Sequence, residues 1–320
     1  MKVLVVGGSG FIGTRLVGAL REVGHEPSIL DLLRSSTFPA VSTIGDVTVP
    51  ADVEAALTGV DTVVNLAAEH RDDVRPVSRY DAVNVGGART LVAAAEATGV
   101  ERIVFTSTVA VYGLGRPRPD ESAPTQPFND YGRTKLEAED VLKLWAAGDP
   151  GRSLRIVRPC VVFGEGNRGN VWTLATQVAT GRFRFVGDGA NKKSMSYVGN
   201  IAAYLAAAVD AGPGVHLTNY ADGPDLTTRE LVTLMAQQLG VEVSARPIPL
   251  PVGILAGRVF DVAARLSGRT FPVSAVRVQK FAAETTVDAS AVDRSGFVRP
   301  YDIVEGLQRT LAAEFSGVGR

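Results

Sequence analysis

Val3-Leu4-Val5-Val6 runs directly into Gly7-Gly8-Ser9-Gly10-Phe11-Ile12-Gly13, and a helix-period segment follows at once. Consecutive apolar residues predict a strand buried on both faces, which belongs to a parallel sheet. The glycines then have separate duties. Gly7 permits a tight turn, Gly10 lets the backbone approach a pyrophosphate, and Gly13 allows close packing of helix on strand. The N-terminus of the following helix stabilises negative charge. A glycine pattern alone is weak evidence; strand before and helix after are the context that points to a dinucleotide.

The same alternation continues through the first half of the chain. Strand candidates at Val3–Val6, Ser28–Leu30, Thr62–Leu66, Ile103–Thr106 and Leu154–Val157 are separated by helix candidates at Phe11–Val23, Ala51–Leu57, Arg79–Thr98 and Tyr131–Trp145. The expected class is α/β, with a doubly wound parallel sheet. After Pro159 the pattern changes. Val161–Asn170 reads as a glycine-rich loop, Val171–Thr180 as a short helix, Arg182–Val186 as a strand and Gly187–Gly189 as a turn. A helix at Asn200–Val209 and a strand at Val215–Tyr220 follow. Thr227-Thr228-Arg229-Glu230 is a capping box, and Leu231, Leu234, Met235 and Leu239 fall on one face of the helix it opens. These signals predict a Rossmann domain over residues 1–165 and about 196–225. A smaller mixed α/β lobe is predicted over 166–195 and 226–320.

Composition narrows the partners. Lys plus Arg (33) nearly cancels Asp plus Glu (34) over 320 residues, leaving a net charge of −1. Such a chain has no global field for nucleic acid or an anionic membrane. One cysteine, Cys160, cannot form an internal disulfide, and three scattered histidines predict no metal cluster. The N-terminus lacks the apolar stretch of a signal peptide, and no segment has the length of a membrane span. The expectation is a cytoplasmic protein.

Asp31 closes the second strand, at the spacing where an acid binds the adenosine ribose hydroxyls. An acid there repels a 2′-phosphate and favours NAD over NADP. Arg34 could bind that phosphate, so NADP stays open, and Asp31 also suits an ordinary turn. Asp46 and Val47, shortly before the Ala51–Leu57 helix candidate, could reach adenine or simply form a turn. Leu66, Ala67 and Ala68 end the Thr62–Leu66 strand with small residues, as a cofactor border or close packing requires.

Tyr131 and Lys135 lie one helical turn apart, hence on one face. A phenol has a reference pKa of about 10 and becomes a base only when a cation stabilises its anion. Lys135 and an oxidised nicotinamide would supply that charge. Thr106-Ser107-Thr108 ends the Ile103–Thr106 strand, where α/β folds bind ligands. Thr108 would hold the substrate oxygen while Tyr131 moves its proton.

Together, GGSGFIG, NLAA, Asn84-Val85-x-Gly87, TSTVAVYG, YGRTK and Arg158-Pro159 resemble the extended short-chain dehydrogenase/reductases. Within that family the similarity is to the NAD-dependent nucleotide-sugar epimerase/dehydratase branch. The resemblance extends from Gly7 to the Gly296–Pro300 segment. It implies catalytic roles for Thr108, Tyr131 and Lys135. It implies cofactor roles for Gly7, Gly10, Phe11, Ile12, Gly13, Asp31, Asp46, Val47, Leu66, Ala67, Ala68, Ser107 and Pro159, with Tyr131 and Lys135 shared. Dehydratases of the branch carry Asp-Glu after the catalytic Thr, whereas Val109 and Ala110 cannot transfer protons.

The resemblance therefore implies a UDP-hexose or UDP-N-acetylhexosamine 4-epimerase working through a 4-keto intermediate with retained NAD. A ketoreductase using NAD(P)H is the first alternative, and a cofactor-sensing protein the second. Asn170, Lys193 and Arg277 are the candidates for the substrate diphosphate, with Arg168 able to add charge. Lys193 stands where the family often has Arg, so a point charge replaces a fork. Thr285 is the candidate for sugar-ring room, and its small side chain predicts that N-acetylated sugars fit. Glu69–Asp73 could line the sugar site or cap the next helix. The family also implies a homodimer through the Arg79–Thr98 and Tyr131–Trp145 helices.

Overall fold

β1 (Lys2–Val6) sits inside a sheet with layers on both sides, which accounts for its unbroken apolar run. Leu4 and Val6 pack into one core layer while Val3 and Val5 pack into the other. The computed structural model describes residues 1–71, 74–244, 246–255, 258 and 283–316.

β2 (Glu26–Asp31), β3 (Ser42–Ile44), β4 (Thr62–Asn65), β5 (Arg102–Thr106), β6 (Ser153–Pro159) and β9 (Gly214–Tyr220) complete the sheet. Its order is β3-β2-β1-β4-β5-β6-β9, with every pairing parallel. The direction of winding reverses between β1 and β4, and the crevice beyond the carboxyl ends of those strands is where such sheets take ligands. The expected doubly wound Rossmann architecture is present.

α1 (Phe11–Glu22) and α6 (Val198–Ala208) cover one face, contributing Leu16, Leu20, Ile201 and Leu205. α2 (Pro50–Leu57), α3 (Gly87–Thr98) and α4 (Asp130–Ala147) cover the other, with Leu57, Leu91, Leu142 and Trp145. The helix expected over Arg79–Thr98 is not uniform: a π-helical stretch, Asp81–Gly86, precedes α3.

The chain divides into two compact units. Unit 1 comprises Met1–Val162, Ser196–Asp222 and Val287–Asp302; unit 2 comprises Phe163–Met195, Gly223–Thr286 and Ile303–Arg320. Val287–Asp302, which the sequence leaves with the C-terminal lobe, thus returns to unit 1. Unit 2 contains the helices α5 (Asn170–Ala179), α7 (Thr228–Leu239) and Ile303–Glu314. The capping box at the start of α7 is formed: the Thr227 hydroxyl accepts from Glu230 N at 3.0 Å while Glu230 accepts from Thr227 N at 2.8 Å.

A second sheet has the order β10-β8-β7, from β7 (Val161–Phe163), β8 (Lys192–Tyr197) and β10 (Asp222–Thr227). Two local expectations fail here. Val161–Phe163 is a strand rather than the start of a loop, because the glycines that suggested a loop begin only at Gly164. Arg182–Val186 is not a strand. Its alternation buries Phe183 and Phe185 edge to face, 4.9 Å between ring centres, but its ladder is limited to a bridge from Val186 to Ile248. Among the described residues, no helix is long and apolar enough to cross a membrane.

Candidate active site

The glycine loop forms as its spacing demands. Gly7 adopts φ +81°, and a Cβ there would lie 2.9 Å from the backbone nitrogen of Ala67. A Cβ on Gly13 would come within 2.5 Å of the Gly7 carbonyl oxygen, so only glycine lets α1 start this close to the turn. Phe11 and Ile12 open α1 directly behind the loop.

Asp31 reaches back to this loop. Its carboxylate accepts from Ser9 N at 3.0 Å and from Leu33 N at 3.1 Å. Arg34 turns its guanidinium onto the Pro39 carbonyl, at 3.0 and 3.2 Å. The acid is thus beside the phosphate turn, while the arginine that left NADP open is engaged by the chain's own backbone. Asp46 accepts from the backbone and hydroxyl of Thr48 at 2.8 and 2.9 Å, the geometry of a turn. Val47 is buried against Gly87. Leu66, Ala67 and Ala68 are half-buried, and Asn65 holds their turn by accepting from Ala67 N at 3.0 Å.

Thr108, Tyr131 and Lys135 come together on neighbouring elements of unit 1. The backbone of Ser107 extends the ladder beyond β5 by donating to Val157 O at 2.7 Å, which leaves Thr108 just past the strand end. Thr108 caps the turn Val109–Tyr112, its hydroxyl accepting from Ala110 N at 3.1 Å. Asn129 caps α4 by accepting from Gly132 N at 2.9 Å. Gly132 matters for a second reason: a Cβ there would stand 2.8 Å from Ala110 O, so its absence lets the helix seat Tyr131 against the Thr108 turn. Burial pushes the Tyr131 phenol up to about 12, opposed by a hydrogen bond with the Thr108 side chain.

Lys135 is 1% exposed, and its ammonium lies 4.0 Å above the centre of the Phe105 ring. Burial lowers its pKa to about 7, while the charge of Glu139 works the other way. Among the described residues none accepts a hydrogen bond from this ammonium. With no acceptor among the described residues, this ammonium is available to a ligand oxygen. This available donor, the glycine turn and Asp31 fit a dinucleotide: Gly7 to Gly13 would receive the pyrophosphate, Asp31 the adenosine ribose and Lys135 the other ribose.

Glu139, which the sequence reading did not single out, gathers residues that it did name and holds this group in place. Ser107 donates to Glu139 at 2.6 Å, and Arg158 grips the same carboxylate at 2.8 and 2.6 Å. Asn84, within the π-helical stretch, accepts from Glu69 N at 2.8 Å and donates to the Thr134 hydroxyl at 2.9 Å. It thereby joins the chain after β4 to α4. Glu139 was findable, since it repeats the i+4 spacing of Tyr131 and Lys135; Asn84 was named within a motif, but nothing local showed the bonds it makes. Pro159 ends β6 and is buried. His70 is exposed, and Glu69 pairs with Arg79 at 3.1 Å; among the described residues, no side chain of this loop caps the helix at Ser78–Tyr80.

The candidates for the diphosphate and sugar lie in unit 2. Asn170 begins α5 with an exposed side chain. Arg168 stacks over Trp172 at 4.8 Å and faces Glu314 at 3.8 Å. Lys193 and Thr285, distant in sequence, are joined by a parallel bridge, with Ser194 N donating to Thr285 O at 3.0 Å. The Lys193 ammonium donates to Ala283 O, and burial lowers its pKa to about 8 against the charge of Glu284. Arg277 lies outside the described residues, as do Asp72 and Asp73.

Residues 3–219 match the NAD dependent epimerase/dehydratase family, and the chain belongs to it. It is an NAD-dependent enzyme of that family, as its motifs implied. The chain is 48% identical over 317 residues to the N-acetyl-alpha-D-glucosaminyl-diphospho-ditrans,octacis-undecaprenol 4-epimerase of Escherichia coli O157:H7, covering 98% of this chain and 95% of that one. It is 30% identical to the 2-alkyl-3-oxoalkanoate reductase of Stenotrophomonas maltophilia, covering 98% and 99%. MoeE5 in complex with UDP-glucose and NAD superposes with a TM-score of 0.75 at 26% identity, covering 98% of both chains.

Proposed function

We propose that the protein is a 4-epimerase of an N-acetylhexosamine carried on a diphosphate, with a polyprenol as the carrier. The observation that carries this reading is the 48% identity, sustained along nearly both full lengths, to an epimerase named for a diphospholipid-linked N-acetylglucosaminyl substrate. UDP, the carrier expected from sequence, presents the same sugar–diphosphate end, so Asn170, Lys193 and Thr285 serve either. Toward a lipid, unit 2 adds exposed Leu250, Val252 and Leu255, which a nucleotide does not require.

In this reading unit 1 holds the dinucleotide and unit 2 the diphosphate. NAD, when bound, supplies acceptance of a hydride from sugar C4 and its return to the opposite face of the 4-keto sugar. Tyr131 takes the proton of the C4 hydroxyl and gives it back. Its phenol, raised by burial, needs a cation close by to ionise, and Lys135 stands one turn along α4. Thr108 holds the sugar oxygen through its hydroxyl. Val109 and Ala110 carry no group that could drive elimination of water, so the reaction stops at inversion.

The test incubates the purified protein, with no cofactor added, with N-acetylglucosaminyl-diphospho-undecaprenol in detergent and, in parallel, with UDP-N-acetylglucosamine. Anomeric proton signals report the product. A galacto product from the lipid, at higher kcat/KM than from UDP, is the expected result. Conversion of the UDP sugar alone would assign the carrier to the nucleotide. Inactivity on both, with NADPH-dependent reduction of a ketone, would make the protein a reductase.

A further inference from the structure

Arg158 and Glu139 form a buried ion pair that the proposed reaction does not use. Glu139 is fully buried and Arg158 nearly so, and they meet through two charge-assisted bonds. Stability does not explain such a pair, because apolar residues of similar volume serve as well or better. Its placement does. Tyr131, Lys135 and Glu139 follow one another at one-turn intervals on one face of α4. The Glu139 carboxylate also accepts from Ser107, the neighbour of Thr108, and from Lys143 at 3.2 Å. Arg158 continues to the Tyr112 hydroxyl at 2.8 Å, which donates to Asn219 at 2.7 Å. With these donors around it, Glu139 cannot reach a substrate.

We propose that Glu139 is a positioning residue: its carboxylate, held by Arg158 and Ser107, ties the end of β5 to the helix bearing Tyr131 and Lys135, and its charge offsets part of the cost of burying the Lys135 ammonium. Glu139, buried one turn along the same face of α4, is the anion whose charge acts on Lys135; the elements packed against α4 carry other groups. β5 offers the Phe105 ring, and β6 offers Arg158, which is committed to Glu139. The π-helical stretch offers Asp81, which is held by Arg133 at 2.8 Å. The turn after Thr108 offers the Tyr112 phenol, and α4 itself offers Tyr131 and Lys143. Burial works to raise the Glu139 carboxyl, but the hydrogen bonds and charge of Arg158, then Ser107 and Lys143, hold it below the usual range. It is therefore an anion wherever Lys135 titrates.

The test reads Lys135 directly. The full-length protein is labelled with 13Cε-lysine, the Lys135 signal is assigned by its loss in Lys135→Arg, and the midpoint is followed in Glu139→Gln. Glutamine keeps an acceptor oxygen and loses the charge. The expected result is a midpoint about one pH unit lower, with the alkaline limb of kcat displaced by the same amount and KM unchanged. A midpoint and limb that stay in place, with only the thermal midpoint reduced, would overturn the proposal. Glu139→Gln leaves Arg158 buried without its counter-charge, so Glu139→Gln/Arg158→Met is titrated beside it, and a lowered midpoint, by less than in the single variant, is still required. Ser107→Ala tests the tie to β5: kcat falls about tenfold with KM and the Lys135 midpoint unchanged, and an unchanged kcat rejects the tie. The charge argument rests on the proposed epimerase only through kcat. The titration needs no substrate, so failure of that reaction would show separately, as absence of turnover in the unsubstituted protein.

Discussion

The two units hold their candidate residues in opposite ways. In unit 1, Thr108, Tyr131 and Lys135 extend from the end of a central strand and the first turns of an 18-residue helix, backed by Glu139, Arg158 and Asn84. In unit 2, Asn170 and Thr285 are exposed, and Lys193 is held by a backbone carbonyl of the segment that bridges to it. Proton transfer needs placement to a fraction of an ångström, which regular elements and buried bonds supply. Choosing a sugar and its carrier needs shape and charge, which exposed segments vary without disturbing a core. The contrast is testable, because substitutions in unit 1 should alter rate and those in unit 2 should alter selection.

The largest effect belongs to Tyr131. Tyr131→Phe removes only the hydroxyl and should lower kcat by about a thousandfold, while the protein keeps its bound dinucleotide. Loss of the dinucleotide together with activity would mean that the phenol's role is in binding, and the contrast between the units would blur.

Lys135 comes next. Lys135→Met should cost about a hundredfold in kcat and should also change how stability depends on pH. Burial holds the native ammonium at about 7 against 10.5 for a free side chain. Between those values the unfolded chain binds a proton that the native protein does not, so stability rises with pH across that window. Below it both states are protonated, and the cost of burying the charge is carried in full. Urea unfolding of the cofactor-free protein should therefore show a gain in stability from pH 7 to about 10 that Lys135→Met lacks. Parallel profiles would mean that the ammonium is not buried as described.

How much of this was legible in the sequence follows the same division. The run Val3–Val6, the glycine loop and the Tyr131–Lys135 spacing were readable because each is local: periodicity and a few residues fix it. Asp31 was readable at its position, but its bonds to Ser9 and Leu33 were not, since they depend on how β2 ends beside the loop. Glu139 escaped because its partners, Ser107 and Arg158, are brought to it by strands far away in sequence. Lys193 and Thr285 were named separately, and only the fold joins them. Arg182–Val186 misled for a related reason: alternation reports which side chains are buried, not whether a neighbouring strand completes the ladder.

For unit 2, Lys193→Ala is the sharper probe of the diphosphate. With the ammonium and its bond to Ala283 O lost, KM should rise about tenfold while kcat holds. The lowered pKa, about 8, adds a signature. Binding by the unsubstituted protein should weaken as pH rises through that value, and the variant should lack that step. A fall in kcat with KM unchanged would place Lys193 with the chemistry instead.

The smallest effect is expected at Thr285, and it bears most directly on selection. Its backbone is fixed by bonds to Lys192 and Ser194, at 3.1 and 3.0 Å, and its side chain is exposed. Thr285→Tyr therefore leaves the bridge to Lys193 intact and adds a ring without displacing packed atoms, so the thermal midpoint should not move. If this side chain borders the sugar, the ring takes the room an N-acetyl group needs. It should lower kcat/KM for the N-acetylhexosamine by about tenfold while sparing the plain hexose, since a pocket rejects excess bulk by steric overlap rather than by altering chemistry. Equal loss on both sugars would mean that the ring disturbs the diphosphate end through Lys193, so Thr285 would not select between them. No change on either would remove Thr285 from the sugar site and leave the acetyl preference to residues outside the bridge.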